Sequence, residues 1–138
     1  MHSLREAVEA RDTAAIEALL ADNVVFTSPV AHRPYPGKAL TAAILRAVIE
    51  VFEDFGYVRQ IESDDGREHA LIFEATVDGK QITGCDFLHL DDDGKIDDFM
   101  VMVRPLSAAQ ALATRMGQRF ERIKAEATAP PLQKSPGA

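Results

Sequence analysis

Residues 68–104 read EHALIFEATVDGKQITGCDFLHLDDDGKIDDFMVMVR, an alternation of apolar and polar side chains broken by Asp-Gly at Asp78-Gly79 and again at Asp93-Gly94. Alternation at period two marks half-buried strands, and Asp-Gly readily supplies the positive φ angles of a tight hairpin turn. A third such pair, Asp65-Gly66, lies just upstream. Three hairpins predict a four-stranded antiparallel meander, with strands near 57–64, 68–77, 81–91 and 95–104 and a stop at Pro105.

The turns also set the register. If Asp78-Gly79 is a two-residue turn, Leu71 faces Asp86, Phe73 faces Gly84 and Ala75 faces Ile82. The same rule at Asp93-Gly94 sets Asp86 beside Val101, Leu88 beside Phe99 and Gly84 beside Val103. Asp86 therefore falls among Leu71, Phe73, Leu88, Phe99 and Val101, with no Lys or Arg in that local stretch. A carboxylate there loses hydration when ionised, so its pKa is expected to rise. Such a group is either a functional acid or a buried Asp accepting hydrogen bonds from a loop or helix end. The opposite face pairs Ile72 with Cys85, Cys85 with Met102, Phe87 with Met100 and His89 with Asp98. It is also largely apolar and needs a second cover, either another copy of the chain in a homodimer or the C-terminal helix.

Upstream, Leu4, Ala7 and Val8 form one helical stripe; Asp12 is a good N-cap for a second stripe of Ala15, Ile16, Leu19 and Leu20. Helices near 4–11 and 13–21 are expected, then a strand near 24–28 ending at Pro29. Leu40, Ile44, Ala47, Val48, Val51 and Phe55 predict a long helix over 38–54, with Gly56 as its stop. After the meander, Ser107 with Gln110 reads as a capping box for a helix near 107–124. The segment from 126 to 138 carries three prolines and little apolar content, so one domain over 1–125 followed by a mobile tail is expected.

Composition narrows the partners. The chain has 138 residues, 46% hydrophobic and 27% charged, with a formal charge of −7. That is the balance of a folded domain whose field repels nucleic acid and anionic membrane surfaces. Its single cysteine, Cys85, excludes an internal disulfide or cysteine-built zinc site, and no basic start precedes an apolar run. A reducing cytoplasm is the expected compartment. Asp91, Asp92 and Asp93 lack the ligand spacing of a calcium loop, and neither a metal nor another cofactor is expected.

DNVVFTSPV at 22–30, PYPGKALTAAI at 34–44 and GCDFLHLDDDGKI at 84–96, in this order, carry a resemblance over residues 4 to 105. The chain resembles the nuclear transport factor 2-like superfamily, in the branch of ketosteroid isomerases and SnoaL-type polyketide cyclases. The resemblance implies an α+β cone: a strongly bent antiparallel sheet with an N-terminal helical hairpin, a long helix and, here, a C-terminal helix. It also implies dimerisation through the outer sheet face. In a ketosteroid isomerase an Asp base moves a proton while a Tyr and a protonated Asp hold the dienolate oxygen. Carried over, Asp86 takes the place of the oxyanion Asp, the Tyr falls near Leu4, and Ser28 stands where the base belongs. Serine has no proton-accepting form near neutral pH.

Around the expected pocket mouth, His32, Tyr35 and His69 can titrate or donate, beside the solvated-loop and strand-edge roles such residues also fill. The expected lining is Phe26, Ser28, Leu71, Phe73, Leu88, Phe99, Val101 and Val103. The His89 and Asp98 pair reads as structural, and Arg104 as an anchor for the last helix. Two functions fit this set. One is an isomerase, cyclase or hydrolase in which Asp86 donates to a developing oxyanion and His32, Tyr35 or His69 moves the proton. The other is a non-catalytic binder or dimeric accessory module for a hydrophobic, carbonyl-bearing molecule.

Overall fold

The computed structural model describes residues 3–128. The chain runs α1 (Leu4–Glu9), α2 (Thr13–Ala18), β1 (Leu20–Thr27), β2 (Tyr35–Pro36), α3 (Lys38–Val51), β3 (Glu53–Glu62), β4 (Glu68–Val77), β5 (Lys80–Leu90), β6 (Ile96–Arg104) and α4 (Leu106–Thr128). One six-stranded sheet has the order β2-β1-β6-β5-β4-β3. The four C-terminal strands are the antiparallel meander read from the sequence, and β1 joins its edge parallel to β6.

Every register pair derived from the two turns is present, including Leu71 with Asp86 and Asp86 with Val101. The two hairpins reach that register differently. At Asp78-Gly79 both residues have positive φ, 51° and 76°, as a two-residue turn demands. At the second hairpin, Asp91 N–H donates to Lys95 O at 2.7 Å and only Gly94 has positive φ, so the loop is one residue longer. A register shift between His89 and Leu90 then restores the pairing, leaving Asp97 as the extra residue. This bulge also changes the partner of His89. The imidazole Nδ1 lies 2.5 Å from Asp97 Oδ1, not against the Asp98 carboxylate that the uninterrupted register predicts.

Several boundaries differ from expectation: β1 and β3 begin at Leu20 and Glu53, four residues before the expected 24 and 57, α1 ends at Glu9 rather than near 11, and three other helix ends shift. The long helix stops at Val51 rather than near 54, because Phe52 turns to extended backbone (φ −74°, ψ 134°). Phe55 then lies on β3, stacked on Phe73 with ring centroids 5.1 Å apart. Gly56 is therefore no helix stop; it sits in β3 opposite Glu74, beside a register shift. The second helix ends at Ala18, since Leu20 pairs with Ile96 in the sheet. The last helix begins at Leu106, with Ala109 N–H donating to Pro105 O, so Ser107 lies inside the first turn and does not cap it. That helix continues to Thr128, and residues 129–138 of the expected tail lie outside the described residues.

The hairpin of α1 and α2 is capped as its sequence suggests, with Asp12 Oδ1 accepting from Ala15 N–H at 3.0 Å. Helices α1 to α3 close one face of the bent sheet around Phe26, Phe73, Phe99, Leu71 and Ile82, all 2% exposed or less. Helix α4 packs on α3, where Arg122 Nη2 lies 2.5 Å from Glu50 Oε1 and Arg46 Nη2 3.2 Å from Glu126 Oε1. Val58, Ile61, Phe87 and Met102 remain exposed. No helix among the described residues is long and apolar enough to cross a membrane.

Candidate functional site

Asp86 stands mid-strand on β5, between Leu71 and Val101, and is 7% exposed. Burial is the main influence on its carboxyl and pushes its pKa from the ordinary 3.8 up to about 7. A hydrogen bond from Tyr57, its hydroxyl 2.8 Å from Asp86 Oδ2, pulls in the opposite direction. Burial and the neighbouring carboxylate together push the Tyr57 phenol well above its usual range, so the proton between the two oxygens stays on tyrosine.

Tyr57 comes from β3, two strands away, and sits opposite Phe73. The register of β3 against β4 shifts between Tyr57 and Arg59, and Val58 is the extra residue, 57% exposed. This bulge turns Tyr57 to the inner face. Gly84 completes the wall: a Cβ there would run into the Phe73 ring, so only glycine lets Phe73 lie across β5 next to Asp86.

The pair lines a cavity of about 160 Å³. Phe26, Phe52, Phe55, Phe73, Phe99 and Val101 give it an apolar wall; Leu112 enters from α4, and Glu9 and Arg11 lie where α1 meets α2. A neutral Asp86 can donate its O–H to a ligand oxygen while Tyr57 either supports it or donates as well.

Of the residues singled out from sequence, Asp86, Phe26, Phe73, Phe99 and Val101 line this cavity together. Leu71 and Leu88 lie in the core, and Val103 packs partly buried against it. Ser28 and Tyr35 line a second cleft of about 380 Å³ instead. The Ser28 hydroxyl accepts from Val30 N–H at 3.1 Å, a local turn bond. His69 lies in an outer groove at the far end of the sheet, 2.9 Å from Gly66 O through Nε2. His32 is exposed in its loop. The structure thus brings none of His32, Tyr35 and His69 to Asp86, and it adds Tyr57.

Residues 2–99 match the SnoaL-like domain family. No curated protein matches the chain. Among solved structures, a steroid delta-isomerase from Pseudomonas aeruginosa is 45% identical, with a TM-score of 0.81, covering 86% of this chain and 87% of that one. A Silicibacter pomeroyi protein with a cystatin-like fold is 32% identical, with a TM-score of 0.80, covering 89% and 90%. At 18% identity and a TM-score of 0.58, covering 73% and 84%, SalBIII shares the fold; it is an epoxide hydrolase/cyclase-like enzyme of pyran ring formation in salinomycin.

Proposed function

The chain belongs to the SnoaL-like domain family, and on that premise we propose that it holds a small, hydrophobic, carbonyl-bearing molecule by its oxygen between Asp86 and Tyr57. The observation that carries this reading is the 2.8 Å hydrogen bond between Tyr57 and a buried Asp86 in the wall of a largely apolar cavity. Outside a site for a polar oxygen, a carboxyl surrounded by Phe73, Phe99 and Val101 costs stability. Donors fixed in a dry wall favour a carbonyl as it gains negative charge, so the pocket suits enolate-type intermediates of isomerisation or cyclisation. The 45% identity to a protein described as a steroid delta-isomerase supports a ketone as the ligand class.

Ketosteroid isomerisation needs a second group that lifts a proton from one carbon and returns it to another. Ser28, at the position the family resemblance gives to that base, cannot accept one near neutral pH. Our reading is a pocket protein without that base, whose polar groups toward the ligand oxygen are Asp86 and Tyr57. The engagement of Ser28 with Val30 N–H, in a different cleft from Asp86, favours a second reading, a non-catalytic ligand carrier. We further propose a cytoplasmic homodimer that meets through the exposed outer sheet residues.

Titration with cyclohex-2-enone at pH 6 tests the site. Asp86→Asn should weaken binding modestly and Asp86→Ala by roughly 1–3 kcal/mol, the cost of a lost buried partner. Cyclohexene should sense neither change. Equal effects on both ligands would remove the carbonyl from the proposal.

A further inference from the structure

The hydroxyl that meets Asp86 emerges from an edge strand. β3 is the last strand of the sheet, so its outer side faces no further strand among the described residues. The bulge that turns Tyr57 inward lies in that edge, at Val58, with strand pairing on one side only. What stands on the other side is α1. Arg5 Nη2 donates to the Tyr57 carbonyl at 3.3 Å, and Arg5 Nε lies 3.5 Å from Glu9 Oε2, one helical turn on. Leu4 and Ala7, 4% and 3% exposed, seat α1 in the core, and Ser3 with Glu6 closes its start as a capping box. The donor is therefore carried by an anchored helix.

We propose that Arg5 is a positioning residue for the site: by holding the Tyr57 carbonyl it pins the β3 bulge in the form that presents the Tyr57 hydroxyl to Asp86. The inference rests on the site reading above and deepens it by naming what poises its acid. Carbonyl and hydroxyl belong to one residue, and with no strand on its outer side the bulged backbone is free to turn at Tyr57 and Val58 unless another group holds it. A displacement of about 1 Å takes the 2.8 Å hydrogen bond to Asp86 out of range. The charge of Arg5 is not the agent. The influences on the Asp86 carboxyl are burial, which raises its pKa, and the Tyr57 hydroxyl, which lowers it, while the charges of Arg5 and Glu9 act on the Tyr57 phenol in opposite directions. Arg5 thus reaches Asp86 through the place of the Tyr57 hydroxyl. With that hydroxyl in place the acid is held near neutrality, at about 7. With it astray, Asp86 stays protonated further into the alkaline range.

The titration of Asp86, followed by carboxyl NMR on the protein without ligand, tests this in the wild type, in Tyr57→Phe, and in Arg5→Ala and Arg5→Met with and without Tyr57→Phe. Arg5→Ala keeps the helix and Arg5→Met keeps an apolar stem over the strand, so either one, folded by circular dichroism, serves. Tyr57→Phe should raise the Asp86 midpoint by about one pH unit or more, the worth of a hydrogen bond to a charged group. The Arg5 variants should raise it by at least about 0.5 unit when Tyr57 is present and leave it unmoved in Tyr57→Phe, where no hydroxyl is left to position. An unmoved midpoint in a folded Arg5 variant, or the same shift in both backgrounds, overturns the role of Arg5 while the pair of Asp86 and Tyr57 stands. Loss of the fold in both Arg5 variants overturns it too, because Arg5 would then hold the domain and not the hydroxyl. A wild-type midpoint at or below 3.8, or one that ignores Tyr57→Phe, removes the site reading and this inference with it.

Discussion

Replacing Asp86 by Asn should stabilise the protein, and by an amount that grows with pH. The asparagine keeps the shape of the carboxyl and an oxygen to accept from the Tyr57 hydroxyl, and it removes the charge. In the folded chain the Asp86 pKa is raised from 3.8 to about 7. Between these values the native state holds a proton that the unfolded state has released, so wild-type stability falls as pH rises. The contribution is fully present below pH 3.8 and is lost once pH passes about 7. At about 1.4 kcal/mol for each pH unit between the two values, the loss totals roughly 4 kcal/mol. Asp86→Asn escapes it. Urea unfolding of both proteins at pH 4 and pH 8.5 should give near equality at the lower pH and an advantage of roughly 4 kcal/mol to the variant at the higher one, about 15 °C in Tm. Other titrating groups, including His89 with its Asp97 partner, are common to both proteins and cancel in the difference. A difference that stays flat with pH would show that Asp86 titrates normally; a variant that loses ground as pH rises would show that its anion is stabilised by the fold.

The remaining expectations concern chemistry, assembly and packing. The unmodified protein should show negligible turnover of a Δ5-3-ketosteroid in an absorbance assay, and Ser28→Asp should install a measurable rate; robust turnover retained in Ser28→Ala would place the base elsewhere. Light scattering at micromolar concentration should give twice the 15.1 kDa chain mass and shift to the monomer in Met102→Lys, since Met102 is 54% exposed on the outer face. A monomeric wild type removes the dimer. Gly84→Ala should destabilise the protein by roughly 1–3 kcal/mol, because the added methyl group runs into the Phe73 ring and comes within 2.9 Å of Met102 O. An unchanged urea midpoint would show that the ring moves aside freely.

What the sequence discloses about this site depends on where the sheet is regular. Asp86 was legible because β4 and β5 pair without interruption from Val77 and Lys80 to Glu68 and His89, so counting from one Asp-Gly turn places each residue correctly. On the β5 and β6 side the same count succeeded through two compensating departures, a loop one residue longer and a bulge at Asp97. The count could not reveal that the bulge would hand His89 to Asp97. Tyr57 was not legible. Counted back from Asp65-Gly66, it falls opposite Glu74 on the outer face, whereas Gly56 holds that place and Tyr57 meets Phe73. One extra residue, Val58, reverses the side on which the hydroxyl emerges. The helix boundary failed for a related reason. Phe55 continues the helical spacing of apolar residues, yet its packing against Phe73 and Tyr57 draws it into the strand. The bend from Phe52 to Val58 thus ends the helix, folds an aromatic cluster over Gly84 and turns a tyrosine toward the buried acid. Periodicity finds the apolar face on which Asp86 is unexpected; the irregular residues, whose partners lie far along the chain, determine what stands beside it.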